Sequence, residues 1–187
     1  AAEFKRITSL LNSNNVSLQH VIFSGHSGGS FFSGVFGNLN LSEIKEGFDS
    51  NINLIADTQS ILIWGCYGGT LNSLYNSWRL NFPLVKMFAG YENRSPLGIR
   101  DSSAKYLIHT LKAQKNILSK TTAKDIHTEF RRIPLTAELD GTALVGDIFV
   151  SYDKFGNVKE MLEKCNNSFP QDLYEKFICY DEGKEGC

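Results

Sequence analysis

Long apolar runs, a surplus of charge of one sign and the paired spacings of metal ligands are all missing from this chain of 187 residues. No stretch approaches the roughly 20 apolar residues needed to cross a bilayer, and Ala1 to Arg6 lack the basic-then-apolar pattern of a signal peptide, so a soluble chain is expected. Nineteen Lys and Arg against twenty Asp and Glu leave a formal net charge of −1, which removes the field that would hold nucleic acid or an anionic membrane. Without any Cys-x-x-Cys or His-x-x-x-His pair, neither a metal site nor a cofactor is called for. Cysteine itself is sparse. Cys66 stands alone, whereas Cys165, Cys179 and Cys187 crowd the C-terminus, where oxidation would give one disulfide and a spare thiol and would argue for a secreted or periplasmic protein.

What is present can fill a core. The chain is 42% hydrophobic and 12% aromatic against 21% charged, far from disordered or disulfide-scaffold compositions, and its length suits one domain at roughly 100–200 residues each. Phe4, Ile7, Leu10 and Leu11 have helical spacing, ended by the polar residues Asn12 to Asn15. Val21-Ile22-Phe23 reads as a strand buried on both faces, followed by a glycine-rich loop and a helix from Leu41 or Ser42 through Phe48. The pattern repeats with a strand at Ser60 to Trp64 and a helix at Thr70 to Leu80, and a third strand is expected at Leu84 to Ala89. Helices at Ser102 to Leu118 and Thr122 to Arg131 follow, then a strand at Ala143 to Tyr152 and two short helices at Val158 to Cys165 and Gln171 to Ile178.

Strands separated by helices imply crossovers, hence a three-layer α/β/α sandwich around a mostly parallel sheet. The core holding those strands is expected at about residues 18–118, with 119–187 packed on it as part of one domain. In such sheets ligands bind beyond the carboxyl ends of the strands. Three successive strands here end in Gly-rich or polar loops, and two of those loops carry a candidate nucleophile.

Gly25-His26-Ser27-Gly28-Gly29 fits the G-x-S-x-G elbow of a serine esterase, with Ser27 as nucleophile. Only about 20 residues precede it, however, too few for the strands and oxyanion loop of that fold, and the later histidines, His109 and His127, fall in helical patterns. The second reading joins His26 at the end of one strand to Cys66 at the end of the next. Gly65, Gly68 and Gly69 leave Cys66 open to approach and its backbone amides free for an oxyanion. Adjacent parallel strands lie about 4.8 Å apart, close enough for the two loops to face one substrate bond.

Val21 to His26, Ile61 to Cys66 and Val85 to Tyr91 together resemble the caspase-like cysteine peptidases, the group of clostripain, gingipains, legumain, separase and caspases. The resemblance spans about residues 20 to 100. It implies that Cys66 attacks a peptide carbonyl, that His26 assists proton transfer, and that amides near Ser27 or Gly28 and of Cys66 hold the oxyanion. It also implies a specificity pocket on the loop after the third strand. There, Glu92 or Asp101 would select a basic P1 residue and Arg94 an acidic one, with Asn93 beside them; Glu92 is the favoured selector. Trp64 flanks the nucleophile, either packed under the sheet end or walling a subsite.

Two departures accompany the resemblance. Ser27 stands where the group usually has glycine, and the sheet would be shortened at its N-terminal edge, leaving an exposed edge or a place for a separate N-terminal fragment. The expected partner is a peptide or protein substrate, with no nucleic acid and no membrane. A non-catalytic binding module of the same fold is the reading from another functional class.

Overall fold

A computed structural model of the chain describes residues 1–34, 37–93, 95, 101–130, 141–152, 158–164 and 177–179. The chain divides into two compact units, Ala1–Ser95 and Pro96–Cys187.

In the first unit, helix α1 (Ala2–Ser13) precedes strand β1 (His20–Ser24). A small antiparallel sheet follows, made of β2 (His26–Ser27), β3 (Phe31–Gly34) and β4 (Gly37–Asn40). Helix α2 (Leu41–Asp49) starts at a capping box, in which the Asn40 side chain accepts from the Glu43 amide and the Glu43 carboxylate accepts from the Asn40 amide at 2.8 Å. The short helix α3 (Ile52–Ile55), strand β5 (Ser60–Trp64), a π-helix (Asn72–Arg79) and strand β6 (Met87–Tyr91) complete the unit.

β1 pairs with β5 and β5 with β6, both in parallel, so the three strands sit side by side, but β1 is not buried on both faces as expected: in it only Phe23 is buried, and Ile22 is 46% exposed. Ile61, Leu62 and Ile63 are all buried, as a strand covered on both faces requires. Among the described residues β1 ends the strand order, with β5 as its one partner. One aromatic cluster ties the elements together. Phe23 of β1 lies 5.2 Å from Trp78 of the π-helix and 5.7 Å from Phe32 of β3. Phe48 of α2 meets Phe4 of α1 edge-on at 5.4 Å and Phe82 at 5.8 Å.

The second unit contains α4 (Asp101–Leu118), α5 (Ala123–Phe130) and strands β7 (Gly141–Val145), β8 (Ile148–Tyr152), β9 (Val158–Lys164) and β10 (Phe177–Cys179). The two helices pack together, and α5 lies against β8 and β9. Here every described strand pair is antiparallel: β7 with β8, β8 with β9, β9 with β10.

These pairings overturn the expectation of a mostly parallel sheet. The fold is α/β with mixed sheets: β1, β5 and β6 pair in parallel, whereas β2 to β4 in the same unit and β7 to β10 in Pro96–Cys187 pair antiparallel. Two local features account for the difference. The single strand expected at Ala143 to Tyr152 is a hairpin, turning at Gly146-Asp147 with Gly146 at φ +58°, the kind of glycine-first turn that two-residue hairpins favour. Val158 to Cys165, expected as a helix, is strand β9 over Val158–Lys164, because pairing with β8 outweighs the helix propensity of its Lys, Glu, Met and Leu. Of the last expected helix, Phe177–Cys179 is strand and 171–176 lies outside the described residues. The third strand is β6, shifted to Met87–Tyr91, and the small sheet of β2 to β4 replaces an expected loop.

Candidate functional site

Parallel pairing sends the chain out of β1, β5 and β6 at the same edge. Ser24 pairs with Trp64 and Ile63 with Gly90, so the three exits are level with one another. His26 and Cys66 each follow the Ser24–Trp64 rung by two residues. The Gly25 amide extends the ladder one step, donating to the Trp64 carbonyl at 3.1 Å.

Beyond that step the loops touch directly. A Cβ placed on Gly65 would lie 2.4 Å from Cβ of Ser27 and 3.0 Å from the Gly25 carbonyl oxygen, so glycine at position 65 is what allows the His26 loop to rest on the Cys66 loop. Ser27 is half-buried there, and its Oγ accepts from the Gly29 amide at 3.0 Å. The pleat of β2 turns successive side chains to opposite faces, and His26 is exposed. Among the described residues no hydrogen bond joins His26 to Cys66.

Gly29 anchors the loop from its far side. Its φ of +94° suits glycine alone, and its carbonyl accepts from Ser73 Oγ at 2.9 Å and from Trp78 Nε1 at 3.0 Å. Both donors are buried in the π-helix that follows Cys66. They stand five residues apart, a spacing that the i→i+5 winding of a π-helix brings towards one face and that an α-helix would splay. The unusual helix therefore ties the His26 loop to the segment after Cys66.

The third loop is stitched to Cys66 from the other side. The Tyr67 amide donates to the Asn93 carbonyl at 2.7 Å and the Gly69 amide to the Tyr91 carbonyl at 2.9 Å. Gly90 permits this approach, since a Cβ there would lie 2.9 Å from the Gly69 nitrogen. Tyr67 itself has φ +59° and is 48% exposed, so the residue after the cysteine holds a left-handed conformation that bulky side chains seldom adopt. The half-buried Cys66 thiol is a free thiol and lies 3.9 Å from Ser95 Oγ. Among the described residues no acceptor takes the Cys66 amide, whereas the Gly28 amide already donates to the Phe31 carbonyl at 3.3 Å. Of the backbone donors expected for an oxyanion, Gly28 is used within its own hairpin, Ser27 sits in the β2–β3 pairing opposite Phe32, and the Cys66 amide has no acceptor among the described residues.

The structure thus brings Cys66, Ser27, Trp64 and the loop after β6 to one edge. Trp64 is half-buried at the end of β5. Glu92 is half-buried on the third loop and Asn93 is exposed, its carbonyl occupied by Tyr67. Arg94 lies outside the described residues; Asp101 begins α4 in the second unit, with its side chain outside them too. Cys165 and Cys187 also lie outside the described residues, and Cys179 is described only as backbone in β10. The chain after Gly25-His26-Ser27-Gly28-Gly29 enters a hairpin and not a helix, so Ser27 lacks the strand-to-helix turn of a nucleophile elbow. Among the described residues no three His, Cys, Asp or Glu gather as metal ligands, and no helix is long and apolar enough to cross a membrane.

Sequence reasoning missed Ser73, Trp78 and Ser95 as parts of this site. The first two announce themselves only if the helix is wound with a five-residue repeat, and Ser95 only once the third loop is stitched to the second. No protein-family model, curated protein or solved structure matches the chain.

Proposed function

We propose that this chain is a cysteine-type peptidase that uses Cys66 and His26 on a peptide or protein substrate. The observation that carries the proposal is the register of β1 against β5, which starts the two loops from one rung, together with the contact of Ser27 on Gly65. In this reading Cys66 Sγ forms a bond to the peptide carbonyl carbon while the Cys66 amide donates to the developing oxyanion. His26 takes the thiol proton and passes it to the leaving amine as the C–N bond breaks. Water then cleaves the thioester, releasing the acid and restoring the thiol. Since His26 is exposed and unbonded to the thiol, its imidazole closes on the sulfur when substrate fills the edge, as catalytic contacts in empty sites commonly do. Glu92, half-buried on the third loop, would favour a Lys or Arg at P1.

The same exposure of His26 favours a second reading, a binding module that holds peptides at this edge without turnover. A peptide library separates the two. The peptidase reading expects cleavage after basic residues that is lost in both Cys66→Ala and His26→Ala. Absence of cleavage with retained peptide binding supports the module. Cleavage after acidic residues would reject Glu92 as the selector.

A further inference from the structure

We infer that the Ser95 hydroxyl donates a hydrogen bond to the Cys66 thiolate and thereby sets the reactivity of that sulfur. The inference rests on the reading of Cys66 as the nucleophile but concerns a residue which that reading does not use. Ser95 Oγ is the hydrogen-bonding partner of Cys66 Sγ, at 3.9 Å across a partly buried contact. Its approach is built into the loops. The Tyr67–Asn93 and Gly69–Tyr91 backbone bonds zip the chain leading to Ser95 onto the chain leaving Cys66, and Gly90 supplies the clearance beneath.

The chemistry gives that contact a direction. A protonated thiol is a weak donor and a weak acceptor, so it gains little from a hydroxyl. A thiolate is an acceptor only, and a hydrogen bond to the charged form lowers the energy of that form. The proton lost by Cys66 goes to the His26 imidazole or to water, while Ser95 keeps its own. As charge develops on the sulfur, the long contact shortens, and Ser95 holds the thiolate facing the third loop, where the substrate side chain would be read.

The test is the pH dependence of carboxamidomethylation of Cys66 by iodoacetamide, followed on the Cys66 peptide by mass spectrometry so that the C-terminal cysteines do not contribute. Ser95→Ala is expected to slow labelling about fivefold at pH 7, the size of one hydrogen bond, and by less at higher pH. Ser95→Thr keeps the hydroxyl and should restore the profile; Ser95→Val, of similar shape without it, should behave as Ser95→Ala. Superimposable wild-type, Ala and Val profiles would overturn the inference, as would a Thr variant that follows Val. A parallel peptide-cleavage assay keeps the two claims apart. A shifted labelling profile without any cleavage retains Ser95 and rejects the peptidase; cleavage that needs Cys66, with unmoved profiles, does the reverse.

Discussion

In Ala1–Ser95 the chain leaves all three parallel strands at one edge, and each return passes through a crossover. In Pro96–Cys187 the described strands alternate in direction, and β7 and β8 are joined by only the two residues Gly146-Asp147. Parallel pairing gathers loops, and antiparallel pairing disperses them. Cys66, its backbone amide and the Ser95 hydroxyl beside its thiol all belong to gathered loops. The described strands of the second unit bring no comparable set together, and their buried residues, Ala143, Leu144, Phe149 and Val150, are those of a packed sheet. Chemistry is therefore expected to be sensitive to small changes in the first unit, and stability to large ones in the second.

The widest separation should come from Phe149→Ala. Phe149 is 1% exposed in β8, and truncating a buried phenylalanine costs about 3–5 kcal/mol. Thermal denaturation should show a large drop in Tm, while turnover per folded molecule, measured well below that Tm, changes by about twofold or less. A loss of turnover in proportion to the Cys66→Ala loss would break the division of labour between the units.

Gly65→Ala should act in the opposite sense. The added methyl would sit 2.4 Å from Ser27 Cβ, so the two loops must part, at a cost of about 1–3 kcal/mol for an overpacked contact. Turnover should fall further than this loss of stability accounts for, and the pair Gly65→Ala with Ser27→Gly should recover part of it by removing the atom that is met. Equal turnover in the single and double variants would show that the contact of these loops does not matter to the site.

Trp78→Phe is the smallest and sharpest change. It keeps an aromatic ring in the cluster around Phe23 and Phe82 and removes the Nε1 donor to Gly29, leaving Ser73 as the carbonyl's other donor. One such bond is worth about 1 kcal/mol. Denaturant titration should register that loss, and hydrogen exchange at Gly29 and its neighbours should rise more than elsewhere in the unit. Uniform exchange across the unit would deny Gly29 its role as an anchor.

The contrast between the units also explains what could be read from the sequence. Ile61-Leu62-Ile63 and Val21-Ile22-Phe23 are short continuous apolar runs ended by glycine, a pattern with one good solution, and both strands lie where those runs are. The stretch Val158 to Lys164 mixes charged and apolar residues that suit a helix as well, and only its partner β8 decides the matter. The turn at Gly146-Asp147 was a two-residue signal inside an apolar stretch, and such signals are easily absorbed into one long strand. His26 and Cys66 could be placed at neighbouring strand ends because parallel register follows from crossovers. Ser95, Ser73 and Trp78 could not, since each reaches the site through a hydrogen bond across 29 or more residues of sequence. The exposure of His26 was equally hidden, because it depends on the β2–β3 hairpin that replaced a loop.

The most direct test of the account is covalent trapping in the intact chain. A peptidyl vinyl sulfone with Lys at P1, incubated at neutral pH and mapped by mass spectrometry, should add to Cys66 through a new S–C bond, and His26→Ala should suppress the adduct while leaving slow labelling by iodoacetamide. An adduct on Ser27 or on a C-terminal cysteine, or a Cys66 adduct that forms equally fast without His26, would contradict it.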